Sequence, residues 1–320
     1  MKILLRQCQS PGDILMLTAA VRDLKRAHPY IEVNVETSAA TLWDHNPLLD
    51  RSITAENADR VIHIGYPLIN SADRLPYHFI HAFRKELALQ LGLDIPQGEF
   101  RADLYLSDEE KEPSPLLDGI GPYWVVDAGY KSDFTLKNWG TSRYQQVVDI
   151  LRGEVRFVQI GEAHPDHFHR ELSGVVSLVG KTSLRDLIRV VNHAAGVLTP
   201  VSFPMHLCAA LPLPDGGLRP CVVVAGGREP AHWEQYPGHA FFQNVGMFDC
   251  CRTQSCWRSR VEKLNDGQSA DESICRHPVE NTAGDKTGLC MAAIDPDSIA
   301  ATIANFTNAG EITRNLAETI

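Results

Sequence analysis

Short unbroken apolar runs recur along this chain, and they decide its architecture before any motif is considered. YWVVDA at 123–128 and CVVVA at 221–225 read as strands buried within a sheet, the pattern of a parallel sheet covered by helices. Strands and helices alternate around them. Lys2–Leu5 reads as a strand, and Asp13 to about Ala27 as a helix with Leu17, Ala20, Val21 and Leu24 on one face, stopped by His28-Pro29. Ile31–Glu36 reads as a strand, Thr41–Asn46 as a helix ended by Pro47, Arg60–Ile64 as a strand and Tyr77–Gly92 as a long helix. Ser107–Pro122, polar and proline-rich, reads as a linker. The alternation then restarts: helix Tyr144–Leu151, strand Val155–Ile160, helix Ser183–Ala194, strand Gly196–Thr199, helix Met205–Leu211, and strand Cys221–Ala225 closed by Gly226-Gly227. Two such units in 320 residues predict an α/β fold of two Rossmann-like domains facing across a cleft. The expected division is 1–115 and 116–320, with a cysteine-rich insert at 248–292 and a C-terminal helix.

Charge and hydropathy narrow the class. A net charge of −10 supplies no basic excess for phosphates, which argues against a general nucleic-acid binder. No apolar run approaches the ~18 residues of a membrane span. After Met1-Lys2 only Ile3-Leu4-Leu5 precede Arg6, so no signal peptide is read and a cytoplasmic enzyme is expected.

In open α/β sheets ligands bind beyond the carboxyl ends of the strands. Gly12-Asp13 stands at such an end, between the first strand and first helix. A carboxylate there is either a helix cap or a base facing the cleft. Other candidates sit at equivalent places. Lys137 lies in LKNWG, and Glu162 follows Ile160-Gly161. Thr182 precedes a helix that it would cap, where free amides meet phosphate or base. Met205 and His206 open another helix, and Gly227-Arg228 follow a buried strand. Each also has an ordinary reading: a surface lysine, a solvated loop carboxylate, a simple helix start, a core histidine, an Arg228–Glu229 surface pair.

The ordered set PGDILMLTAAVRDLKRAHP, HNPLLD, KNWG, FVQIGE, GKTSLRDLI, PMHLCAAL and GGREP resembles glycosyltransferase family 9, the heptosyltransferase family. The resemblance implies the two-domain GT-B fold and an inverting glycosyltransferase. Its donor would be a nucleotide-diphosphate sugar, ADP-heptose above all. Asp13 would be the general base, with Gly12, Lys137, Glu162, Thr182, Met205, His206, Gly227 and Arg228 around the donor. Lys137 would offset the leaving group's charge, with no metal needed for catalysis. The acceptor stays open among glycan, protein and small molecule. One departure stands out: the family carries Asp-Thr-Gly ahead of PMH, and this chain has Val201-Ser202-Phe203. A non-catalytic binding or assembly protein that has lost donor-site residues is the alternative.

Five of the 8 cysteines fall in one polar stretch: Cys250, Cys251, Cys256, Cys275 and Cys290. Such an insert has too little apolar area to order itself without a cross-link or a metal. A structural zinc or iron held by Cys251, Cys256, Cys275 and Cys290, with Cys250 as the alternative ligand, is one reading; unlinked thiols or disulfides are the other. The resemblance adds iron, which some protein-heptosylating relatives hold through cysteines in a comparable insert. Cys8, Cys208 and Cys221 read as buried hydrophobes, and the histidines at 164, 167 and 169 as a surface loop.

Overall fold

The structure is a computed structural model that describes residues 1–66, 75 and 78–317. Its elements in chain order are β1 (Lys2–Gln7), α1 (Pro11–Ala27), β2 (Glu32–Thr37), β3 (Arg60–His63), α2 (Phe79–Leu91), β4 (Trp124–Asp127), β5 (Tyr130–Lys131), α3 (Thr141–Ile150), β6 (Phe157–Ile160), β7 (His167–Phe168), β8 (Val176–Ser177), α4 (Leu184–Asn192), β9 (Gly196–Pro200), α5 (Phe203–Ala210), β10 (Cys221–Gly226), α6 (Ala231–Glu234), β11 (His239–Gln243), β12 (Pro278–Glu280), β13 (Lys286–Gly288), α7 (Leu289–Ala292) and α8 (Pro296–Ala317). Tyr77, the expected start of the second long helix, lies outside the described residues.

Two parallel sheets carry the fold. The first has the order β2-β1-β3, and the second β11-β10-β9-β4-β6-β8. The unbroken apolar runs lie where two-sided burial requires them. On β10, Cys221, Val223 and Ala225 face the core that continues to α1 and α2, while Val222 and Val224 face α8. On β4, Val125 points to the first core, and Trp124 and Val126 to the second. α8 covers the second core through Ile299, Ala300 and Ile303. The expected α/β architecture with parallel sheets is therefore present.

Local differences from the sequence reading have local causes. α1 begins at Pro11, earlier than Asp13, since proline at a first helical position gives up an N–H that has no partner there anyway. The helix expected over Thr41–Asn46 shrinks to one 3-10 turn, Ala40–Trp43. His45 has φ 60°, and the Asn46 side chain accepts from the Leu48 amide at 2.9 Å, which turns the chain out of the helix. The proline-rich stretch is tied to α4: Arg185 pairs with Glu110, and Arg189 donates to the Glu112 and Pro113 carbonyls at 2.8 Å each.

Candidate active site

Asp13 occupies the third position of α1; Ser10 is the N-cap, and Asp13 shares in the capping by completing its capping box. Its Oδ2 turns back to accept from the Ser10 amide at 3.2 Å and from the Tyr66 hydroxyl at 3.0 Å. Only 6% of Asp13 is exposed. Burial pushes its pKa up to about 6, against the lowering effects of Tyr66, Lys137 and the Ser10 amide. A carboxylate so poised is ionised at neutral pH and still basic enough to accept a proton.

Lys137 approaches from the loop before α3. Its Nζ donates to the Val201 carbonyl at 3.0 Å and lies 3.1 Å from Glu229 Oε1. Glu229 also pairs with Arg228, and both are buried, so the pair is not the surface pair that the ordinary reading describes. Arg228 is held on three sides: its Nε donates to the Arg258 carbonyl at 2.8 Å, and its guanidinium lies 4.7 Å from the Phe134 ring centre and 5.5 Å from that of Trp257.

His206 is placed differently from expectation. It lies beneath the Gly12 turn, where a Cβ on Gly12 would come within 3.0 Å of its ring. Glycine at 12 is therefore what lets α1 and α5 approach. His206 Nδ1 is 2.9 Å from the Tyr236 hydroxyl, and Nε2 is 3.9 Å from Glu234 Oε2. Burial holds His206 well below its ordinary pKa and Glu234 well above its own. Burial thus disfavours the charged form of both groups, which makes His206 a poor cation for a phosphate.

The start of α5 is also less free than the motif suggested. Pro204 has no N–H, and the Met205 amide already donates to the Ser202 carbonyl at 3.1 Å. The Met205 side chain is fully buried. Ser202 instead donates to Asp127 Oδ2 at 2.9 Å, which brings a buried carboxylate from the end of β4 to the point where the family's Asp-Thr-Gly is missing. Thr182 is not the cap of α4: Ser183 is, with Asp186 completing a capping box. Glu162 is exposed and pairs with His167 at 3.1 Å. No contact joins Glu162 or Thr182 to the Asp13 cluster among the described residues. The sequence reading thus converges for Gly12, Asp13, Lys137, His206 and Arg228, and it missed Tyr66, Glu229 and Glu234.

The insert packs directly behind this site. The Cys256 amide donates to the Gly227 carbonyl at 3.0 Å, and Trp257 to that of Arg228 at 3.4 Å. Gly226 has φ +64°, and a Cβ there would meet Met291 Sδ at 2.5 Å, so the strand end accepts only glycine. Cys250, Cys256, Cys275 and Cys290 line one small enclosed cavity together with Gly227 and His277. Cys251 is outside that lining, its thiol directed to the Asn244 and Phe248 carbonyls at 3.5 Å. Among the described residues, Asp249, Cys250 and His277 have donor atoms within 4.8 Å of one another. No histidine of the 164–169 loop joins such a group among the described residues, and Cys8 is exposed rather than buried because β1 has ended at Gln7.

Comparison with solved structures gives the fold its relatives. A glycosyl transferase of family 9 from Veillonella parvula DSM 2008 matches with a TM-score of 0.67 at 14% identity, over 96% of this chain and 97% of that one. ADP-heptose lps heptosyltransferase II of E. coli matches with a TM-score of 0.58 at 14% identity, over 97% and 100% of the two chains. The dodecameric iron-containing heptosyltransferase TibC of enterotoxigenic E. coli H10407, in complex with ADP-D-beta-D-heptose, matches with a TM-score of 0.62 at 15% identity, over 96% of this chain and 76% of its own. No curated protein matches. The family model for glycosyltransferase family 9 (heptosyltransferase) covers residues 68–218. Residues 68–218 thus match the glycosyltransferase family 9 model, and the α/β fold of parallel sheets is one that this chain shares with solved heptosyltransferases.

Proposed function

We propose that this glycosyltransferase transfers a sugar with inversion from a nucleotide-diphosphate donor, ADP-heptose being the favoured one, with Asp13 as general base. The observation that carries the reading is the Asp13 carboxylate, buried beside Lys137 and raised to about 6. The acceptor hydroxyl oxygen attacks the anomeric carbon, the bond from that carbon to the diphosphate oxygen breaks, and the hydroxyl proton passes to Asp13. The nucleoside diphosphate leaves with the bonding pair. Lys137 moves from Glu229 toward the developing charge, so catalysis calls on no metal ion. His206 supports the Gly12 turn rather than the phosphates. In this reading the unit 1–115 shapes the acceptor site and the unit 116–320 the donor site; the TibC neighbour, in complex with ADP-D-beta-D-heptose, favours that donor.

Cys250, Cys256, Cys275 and Cys290 line one cavity in the insert, and their soft thiols match the chemistry of zinc or iron; no three of them stand in a mutually close donor group among the described residues, so the ion would have to draw them together. Cys251 is then the spare member of the adjacent pair. The iron of the TibC neighbour is in keeping with this.

The test is calorimetric titration with ADP, UDP and GDP, followed by transfer assays of wild type and Asp13→Asn. Selective ADP binding with transfer abolished in the variant supports the reading. Absence of nucleotide binding would instead favour a binding or assembly protein, which the lost Asp-Thr-Gly and the engaged Lys137 would then explain.

A further inference from the structure

A second group of soft donors lies in the core, away from the insert. Cys208 comes from α5, Cys221 from the first position of β10 and His239 from the first position of β11. Cys221 and His239 are register partners on neighbouring parallel strands, so their side chains leave the same face of the sheet. α5 lays Cys208 against that face. The three donor atoms lie within 4.8 Å of one another, and all three residues are buried.

Read simply as small hydrophobes, the two thiols would need no explanation. His239 does. It is 5% exposed, and among the described residues its ring nitrogens have no well-placed hydrogen-bond partner, the Cys208 thiol being the side chain that approaches as a weak one. A buried imidazole with its nitrogens so poorly satisfied is costly, so native cores rarely keep one. The atoms closest in kind and place are two thiols, which are poor hydrogen-bond partners and good metal ligands.

We propose that Cys208, Cys221 and His239 form a buried zinc site, distinct from the insert and from the Asp13 cluster. Two thiolates and a neutral imidazole around Zn²⁺ carry no net charge, which suits a core position; the same donors around a monovalent copper ion would leave one negative charge there. Ordinary Zn–S and Zn–N distances of about 2.3 and 2.0 Å put tetrahedral donors about 3.5–3.8 Å apart, and the present spacing of at most 4.8 Å would close to that on binding. The ion would join α5 to the β10–β11 edge, and with no open route to the site it would load as the domain folds. α5 carries His206 four residues into the helix that abuts Gly12, so the joint would set the seat of the Asp13 turn without touching substrate.

Zinc content of full-length protein, measured by mass spectrometry of the metal alongside circular dichroism, tests this. Cys208→Ala and His239→Phe should each lose one zinc equivalent relative to wild type while the insert's metal stays. Unchanged metal content in both folded variants overturns the site, as does a Cys208–Cys221 disulfide in peptide maps of the unreduced wild type. If neither variant folds, cobalt(II) reconstitution of wild type gives the answer. Thiolate-to-cobalt absorption that survives mapped alkylation of the five insert cysteines supports the core site; its complete loss on that alkylation overturns it.

Discussion

Replacing Asp13 by Asn should make the protein more stable and nearly inactive, and the two effects have one cause. The Asp13 carboxyl has an ordinary pKa of 3.8 and about 6 in the folded chain, because burial disfavours its charge. The folded state therefore binds this proton more tightly than the unfolded state. Wild-type stability from this group is complete below about pH 4, declines as pH rises, and is lost above about pH 6. A displacement of about two pH units corresponds to about 3 kcal/mol. Asn keeps the acceptor for Tyr66 and Ser10 but buries an amide with no evident partner, which offsets part of the gain. The net expectation is about 1–3 kcal/mol of added stability at pH 7.5. Urea unfolding of both proteins at pH 4, 5, 6 and 7.5 measures it. The gap should run from zero to about −2 kcal/mol at pH 4, where only the amide's cost remains, and rise by about 3 kcal/mol on the way to pH 7.5. A gap that is absent at pH 7.5, or equal at every pH, would refute the account of a desolvated carboxylate. Transfer should meanwhile fall at least about a hundredfold, the loss expected of a general base.

The wild-type rate should rise with pH through about 6, where Asp13 ionises, and a pH–rate profile checks this. Tyr66→Phe removes a hydrogen bond that favours the ionised carboxylate, so the same profile should move to higher pH with little change in its plateau. Lys137→Ala should lower kcat/KM by about 10- to 100-fold, the worth of a charge-assisted hydrogen bond to the leaving group, read from steady-state kinetics. Cys256→Ser should reduce bound metal and protease resistance of the insert, followed by metal analysis and limited proteolysis.

Strand positions were legible because burial on both faces leaves an unbroken apolar run, as on β4 and β10. Position past the carboxyl ends of β1, β4 and β10 also brought Asp13, Lys137 and Arg228 into view. What stayed hidden depends on partners distant in sequence. Glu229 reads as a surface charge until Lys137, 92 positions earlier, reaches it at 3.1 Å. Tyr66 is an unremarkable loop tyrosine until its hydroxyl meets Asp13. His206 carries the motif, but whether an imidazole is charged depends on burial, and burial here makes it neutral. The Ser183 cap was readable in principle, since Asp186 follows at capping-box spacing; the preceding glycine-lysine pair drew the start of α4 one residue too early.

The way Arg228 is held would couple the insert to the catalysis proposed above. A guanidinium facing a diphosphate would bind it with full charge, yet Arg228 is 7% exposed and fastened to Glu229, the Arg258 carbonyl and two aromatic faces. Two of those four fastenings, Arg258 and Trp257, belong to the insert. Arg228 thus spends its charge on Glu229, and so competes with Lys137 for the same carboxylate oxygen. That competition weakens the hold of Glu229 on Lys137, leaving the lysine able to turn toward a phosphate. An insert that came loose would release Arg228, and Glu229 would close on Lys137 alone. Metal loss at the cysteines should therefore raise KM for the nucleotide sugar before it lowers kcat, because the first thing lost is the availability of Lys137 rather than the base. If chelation or Cys256→Ser instead lowers kcat with KM unchanged, the insert acts on the Asp13 side of the cleft, and the path through Arg228 and Glu229 is wrong.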